Sequence, residues 1–270
     1  MRFLAYSCTH HPLQDEEAIG FLLSQIEDHK PDFVVNLGDI FEAQAASRWP
    51  KEYTWALKYE FEVANNYLNK VRMTAEAVNP DVECVWLPGN HDDNIQSLNR
   101  IASDLRGLCN PMDHVAELRN KFWKVPTRYV HDRELGCYRL GQVTFAHGFE
   151  HSVNSDESQA IKLGIPYGLF VSGHTHRPVV VTRARKTQKV PLPYWYANPG
   201  CMRTMCPEYV QRMDHSQWGQ AVVIGECETW RYADSFIPTK PLWDAETRVF
   251  RMAEGYSPEQ PDWRLPLGDA

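Results

Sequence analysis

Short apolar runs alternate with longer amphipathic stretches over the first 125 or so residues. Phe3-Leu4-Ala5-Tyr6, Phe33-Val34-Val35-Asn36-Leu37 and Val82 to Leu87 are apolar with little polar alternation. Runs of this length, bounded by turn residues, read as strands buried on both faces. Two helical patterns lie between them. Asp15 to Lys30 places Ala18, Ile19, Leu22, Leu23 and Ile26 at helical spacing, and Pro31 stops the run. Residues 51 to 78 carry Trp55, Tyr59, Val63, Tyr67 and Val71 in a charged background and predict a long helix whose aromatic face packs on a core, ended by Pro80. Helix-like segments continue to about residue 124.

From Arg128 the pattern turns β-rich. Cys137 to Leu140 and Val143 to Ala146 flank a turn at Gly141-Gln142. Leu169 to Ser172, Val179-Val180-Val181, Tyr194-Trp195-Tyr196 and Ala221 to Ile224 follow. Strand–helix alternation followed by strands argues for an α/β fold, a mixed and layered α/β/α sandwich. One domain over residues 1–228, with a helical insert at about 42–80, accounts for the pattern. Residues 229–270, with Pro238, Pro241, Pro258, Pro261, Pro266, Trp243 and Trp263, read as an extended tail packed on that domain or as an oligomerisation arm. There is no internal repeat.

Composition narrows the class. With 43% hydrophobic and 12% aromatic residues in 270, the chain has the material for a sizeable core. A net charge of −7 argues against a broad basic face that grips nucleic acid. It leaves room for a metal site acting on one, because divalent ions bring positive charge. The seven cysteines include no CxxC pair, so free thiols in a reducing cytoplasm are expected. Met1-Arg2-Phe3-Leu4 enters a strand directly without a secretory leader, and no apolar run would span a bilayer. A cytoplasmic protein without membrane partners is the expectation.

The chemistry sits where the apolar runs end. Cys8-Thr9-His10, Gly38-Asp39, Gly89-Asn90-His91-Asp92, His147-Gly148 and Gly173-His174-Thr175-His176 each close a strand-like stretch. Neutral imidazoles with one carboxylate suit Zn, Mn, Fe or Ni better than Ca or Mg. Asp39 is the natural bridge between two ions, and Asn90 offers a neutral carbonyl oxygen. Two ions about 4 Å apart clamp the attacking and leaving oxygens of a phosphoryl centre. His151 is a local rival to His147, which the His-Gly step favours. For His11, His29, His114, His131 and His215 ordinary surface or core roles suffice. Asp92 and Asp93 read as a helix N-cap and first-turn acid. Arg183, Arg185, Lys186 and Lys189 read as a solvated hairpin turn.

The ordered set Cys-x-His, Gly-Asp, Gly-Asn-His-Asp, His-Gly and Gly-His-Thr-His, spanning residues 8 to 176, resembles the calcineurin-like metallophosphoesterases, with the long insert and the ending around Trp218 similar to phage and prophage members. The resemblance implies a four-layer α/β/β/α sandwich of mixed sheets. It further implies two divalent or trivalent metal ions, most naturally Mn, Zn or Fe. One would be held by Cys8, His10, Asp39 and His176, the other by Asp39, Asn90, His147 and His174. His91 would protonate or stabilise the leaving oxygen while metal-bound hydroxide attacks a phosphomonoester or phosphodiester. Glu42 would orient His91, and Arg177 or Arg48 would contact phosphate oxygens. The class of phosphorylated substrate is not implied; nucleic acid is not favoured.

Cys8 stands where the family has Asp. It binds as a thiolate, or one ion is held alone, or Cys8 is inert and Asp15 or His11 substitutes. Thiolate ligation fits best because the other ligands are all present. A phosphoesterase leads. A catalytically weak metal-binding or protein-interaction scaffold on the same fold is the second expectation, and a DNA or RNA nuclease the third.

Overall fold

The computed structural model describes residues 1–46, 55–101, 109–129, 136–152, 155–165, 168–184, 193–205, 217–227 and 243–252. Four parallel strands form one side of a first sheet: β1 (Arg2–Tyr6), β2 (Phe33–Asn36), β3 (Glu83–Trp86) and β4 (Trp123–Lys124). Two later strands, β10 (Gly219–Cys227) and β11 (Trp243–Met252), extend it antiparallel on the β1 side, giving the order β11-β10-β1-β2-β3-β4. Strand β11 lies within the stretch read from sequence as a tail. A second sheet has the order β5-β6-β7-β9-β8, from β5 (Cys137–Leu140), β6 (Val143–Ala146), β7 (Gly168–Ser172), β8 (Val179–Ala184) and β9 (Pro193–Asn198). Strands β6, β7 and β9 are parallel, whereas β5 and β8 run antiparallel to their neighbours.

The period-two geometry of a strand explains the layering. Phe3 and Ala5 of β1, Val35 of β2 and Val85 of β3 point to one face, where they meet Val143, Phe145, Leu169, Val171 and Ala197 of the second sheet. Leu4, Tyr6, Val34, Cys84 and Trp86 point to the other and meet two helices, α1 (Glu16–His29) and α2 (Leu57–Val78). The outer face of the second sheet packs Ala146, Phe170 and Tyr196 against Ala160 of α6 (Ser155–Lys162). The result is an α/β/β/α sandwich. Strands β5 to β9 build a sheet of their own rather than joining a three-layer fold, whereas β10 and β11 return to the first sheet.

Helix α1 begins as its sequence foretells: Asp15 caps it by accepting the Glu17 and Ala18 N–H groups at 3.0 and 3.2 Å. Helix α2 differs from expectation. Its buried positions are Glu60, Phe61, Ala64, Leu68, Val71 and Ala75, whereas Tyr59 is 48% exposed and Trp55 precedes the helix. A strict four-residue repeat drifts about 40° per step around a helix of 3.6 residues per turn, so the series runs from the solvent side at Tyr59 to the core face at Val71. Three shorter helices, α3 (Asn90–Ile101), α4 (Pro111–His114) and α5 (Ala116–Arg119), lead into β4. Among the described residues no helix is long and apolar enough to cross a membrane.

Candidate dinuclear metal centre

All five clusters lie at the carboxyl ends of parallel strands, where open α/β sheets gather ligands. Cys8 and His10 follow β1, Asp39 follows β2, Asn90 and His91 open α3 after β3, His147 follows β6, and His174 and His176 follow β7. Five of these residues hold left-handed backbone: Cys8 (φ 56°), His10 (49°), Asp39 (54°), His174 (68°) and His176 (60°). Each non-glycine residue there costs about 1–2 kcal/mol. Such strain concentrates where a site needs side chains aimed inward, and the surrounding hydrogen bonds impose it here. The N–H groups of Cys8 and His10 donate to the carbonyls of Gly38 and Asp39 at 2.9 and 3.0 Å. Gly38 (φ 99°) is required by proximity as well: a Cβ there would lie 2.5 Å from Gly89 N and 2.8 Å from His147 Nδ1.

The Asp39 carboxylate is the hub. Its Oδ2 lies 3.2 Å from His147 Nε2 and 3.8 Å from His10 Nε2, and its Oδ1 accepts the His91 N–H at 2.9 Å. His147 Nδ1 sits 2.6 Å from the Leu37 carbonyl and donates to it, which leaves Nε2 with the ring's lone pair. That lone pair faces Asn90 Oδ1 at 3.0 Å and His174 Nδ1 at 3.2 Å as well as Asp39. On the other side of Asp39, His10 Nε2 confronts His176 Nε2 at 3.3 Å. The donor atoms of Cys8, His10 and His176 lie within 4.8 Å of one another, as do those of Cys8, Asp39 and His147.

These contacts test whether the residues fit metal ions. A single proton satisfies one pair of opposed lone pairs, whereas His147 Nε2 faces three acceptors at once. A cation satisfies all of them, and a backbone carbonyl on the far ring nitrogen is the usual anchor of a metal-ligating histidine. Burial opposes protonation of His147, but the Asp39 charge outweighs it and raises the ring above the ordinary histidine value, whereas His10, His174 and His176 shift the other way. Burial first, then the charge of Arg203, hold His10 down at about 4. Burial and neighbouring imidazoles depress His174 and His176 well below the ordinary histidine value. Neutral rings with available lone pairs result. Burial opposes ionisation of Asp39, but His147, His91 and His10 outweigh it and hold its pKa well below the usual range. Burial and the Asp39 charge push the Cys8 thiol well above its ordinary value.

His91 stands beside this hub, its ring 4.6 Å from that of His10 at 88°. Its Nδ1 donates to the Glu42 backbone carbonyl at 2.7 Å, leaving Nε2 as the nitrogen that exchanges a proton. Glu42 therefore orients His91 through its main chain. Its carboxylate goes elsewhere: Oε2 lies 2.9 Å from His10 Nδ1, outside hydrogen-bond geometry, and accepts from Arg203 Nη1 at 3.2 Å. Arg177 follows His176 and its charge reaches His151. Arg48 and the basic residues Arg185, Lys186 and Lys189 lie outside the described residues.

Several supporting residues carried no sequence motif. Arg203, 1% exposed, anchors Glu42 from a loop almost 30 residues past the last histidine motif. His151 is not the residue at the hub; its Nε2 meets His174 Nε2 at 3.0 Å on the open rim. Tyr129 sets its ring edge against His147, 5.8 Å between centroids. Asp92 lies in the first turn of α3, but its buried carboxylate accepts four backbone N–H groups, from Gly89 (2.7 Å), Asp39 (2.8 Å), Ile40 (3.0 Å) and Phe41 (3.2 Å). It is the staple that joins the Asp39 loop to the Asn90 loop.

No curated protein matches the chain significantly. Among solved structures, it is similar to Vps29 from Chaetomium thermophilum, at 12% identity and a TM-score of 0.46, over 93% of this chain and 92% of that one. It is also similar to a Vps29 single mutant from Entamoeba histolytica, at 11% identity and a TM-score of 0.41, over 93% of this chain and 100% of that one. The family model described as calcineurin-like phosphoesterase matches residues 1–180. That span contains all five strand-end clusters and is two thirds of the chain. By this match the chain belongs to the calcineurin-like phosphoesterase family.

Proposed function

We propose that this protein is a phosphoesterase that hydrolyses a phosphomonoester or phosphodiester at two metal ions. The observation that carries the reading is the set of opposed lone pairs around Asp39 Oδ2, with the proton-exchanging edge of His91 beside it. Cys8, His10, Asp39 and His176 would hold one ion, and Asp39, Asn90, His147 and His174 the other. Bound there, the ions would supply Lewis-acid polarisation of the phosphoryl group and would lower the pKa of water.

The protein's own residues do the rest. Asp39, fixed by the Asp92 staple and by the His91 N–H, keeps the two halves of the site in register. His91, held through Nδ1 by the Glu42 carbonyl, delivers a proton from Nε2 to the departing oxygen. The Arg203–Glu42 pair steadies both His10 and the carbonyl that holds His91. The half-buried Asn90, His91 and His174 and the exposed His151 leave this side of the centre open to an anionic substrate, with Arg177 next to it.

The test is turnover of p-nitrophenyl phosphate and of its bis ester by metal-free protein reloaded with Mn2+ or Zn2+. Hydrolysis of either ester that disappears in Asp39→Asn is expected. Absence of turnover together with absence of bound metal would refute the reading in favour of a scaffold.

A further inference from the structure

Cys8 is the one donor that breaks the symmetry of this centre, and its surroundings decide among the roles it has. Asp15 and His11, the two alternatives to it, are both engaged elsewhere. The Asp15 carboxylate caps α1, accepts from Gln220 Nε2 at 3.0 Å and pairs with Arg251 at 3.2 Å. His11 turns away to Gln14 Oε1 at 3.0 Å and stacks on Tyr67. Cys8 is fully buried and is a thiol rather than half of a disulfide. Its main chain is locked at both ends, by the Gly38 carbonyl on its N–H and by the Met202 N–H on its carbonyl at 3.2 Å. The main chain is thereby fixed beside the centre, and the sulfur lies within 4.8 Å of the donor atoms of His10 and His176, and likewise of those of Asp39 and His147. His176 meets His10 through Nε2 at 3.3 Å, and its Nδ1 is buried without a hydrogen-bond partner.

The two halves of the centre also differ in access. Cys8, His10 and His176 are 0%, 1% and 6% exposed, and the Trp218 ring lies edge-on to His176 at 4.3 Å. Asn90 and His174 are only half-buried, with exposed His151 beside them. Sulfur selects borderline and soft ions, whereas imidazole, amide and carboxylate donors accept Mn2+ as readily as Zn2+.

We propose that the two ion positions are unlike: Cys8, His10, Asp39 and His176 form a closed thiolate–imidazole site for Zn2+ or Fe2+, and Asp39, Asn90, His147 and His174 form an open nitrogen–oxygen site whose ion exchanges. The inference rests on the two-ion reading above and adds which ion goes where. Metal-free full-length protein is titrated with Co2+ and followed by absorption. The first equivalent gives a near-ultraviolet thiolate-to-cobalt charge-transfer band and resists a weak chelator. The second adds only ligand-field absorption and is stripped by that chelator. In Cys8→Ser the band is lost and bound cobalt falls from two equivalents to one. In Cys8→Asp two equivalents bind without the band, and Mn2+ competes at both positions. Two equivalents bound to the native protein with no charge-transfer band, or a band that survives in Cys8→Ser, overturns the thiolate site while the two-ion reading stands. Folded native protein that binds no cobalt overturns both. The native spectrum alone decides the matter should Cys8→Ser fail to fold.

Discussion

Glu60 on α2 is a carboxylate in the wrong solvent. It is 0% exposed, on the buried face of α2 against the Ala43 loop, and its Oε1 has no hydrogen-bond partner among the described residues. Its Oε2 accepts the Ala43 N–H at 2.7 Å and so pins the loop from which Glu42 reaches His10 and His91. Burial, aided by the nearby Glu42 charge, raises its pKa from 4.5 to about 7. The native state therefore holds this proton more tightly than the unfolded chain does. Between about pH 4.5 and 7 the folded protein binds more protons than the unfolded one, so stability falls as pH rises through that window. A shift of that size is at most about 3.5 kcal/mol, at about 1.4 kcal/mol per unit. Glu60→Gln keeps an acceptor for the Ala43 N–H and has no charge to bury. At pH 8.5 the variant is expected to be more stable than the native protein by about 2–3 kcal/mol, and at pH 5 the two should agree within about 1 kcal/mol. Urea denaturation at the two pH values measures both differences, with equal slopes as the check that the unfolded state is unchanged. A gain of equal size at pH 5 and pH 8.5, or a loss at pH 8.5, would refute the account of Glu60 as a buried carboxylate strained by ionisation.

Other substitutions probe the site and the core. His91→Asn should lower kcat about 10²–10⁴-fold while bound metal, read by elemental analysis, stays at the native level; loss of metal would make His91 a ligand. Gly38→Ala forces a Cβ to 2.5 Å from Gly89 N and Leu87 O, so a loss of more than about 2 kcal/mol in thermal unfolding, with loss of metal, is expected. Phe145→Ala empties part of the layer between the sheets, where its ring meets that of Phe3 at 5.2 Å, and should cost about 3–5 kcal/mol by urea titration with little change in KM. Asp39→Asn should remove the shared charge and release both ions on dialysis.

Strand-end chemistry was readable because it is local. An apolar run followed at once by a short Gly, Asp, Asn or His cluster places those side chains in a strand-to-loop turn in almost any parallel sheet, and β1, β2, β3, β6 and β7 each lead into such a cluster. The helix 57–78 shows the limit of the same reading. Its existence follows from length and amphipathicity, but its buried face does not, because the four-residue series starts on the solvent side at Tyr59 and reaches the core only at Tyr67 and Val71. Glu42 shows a second limit. Three residues after Asp39 an acid is easily assigned to His91, yet only the packing of Arg203 decides that its carboxylate turns to His10 while its carbonyl takes His91.

The sequence by itself determined the class of fold, the order of the strand ends and the donor atoms available at them, since these follow from periodicity and side-chain chemistry within short windows. The tertiary structure alone decided which donors converge. It placed β9 between β7 and β8, brought β10 and β11 back beside β1, and set Arg203 against Glu42 and His151 against His174, each more than twenty residues away in the chain. It also decided that Cys8 is sealed in while His174 stays near solvent. Those outcomes depend on contacts between distant segments and on the burial of whole faces, and neither is written in any one stretch of residues.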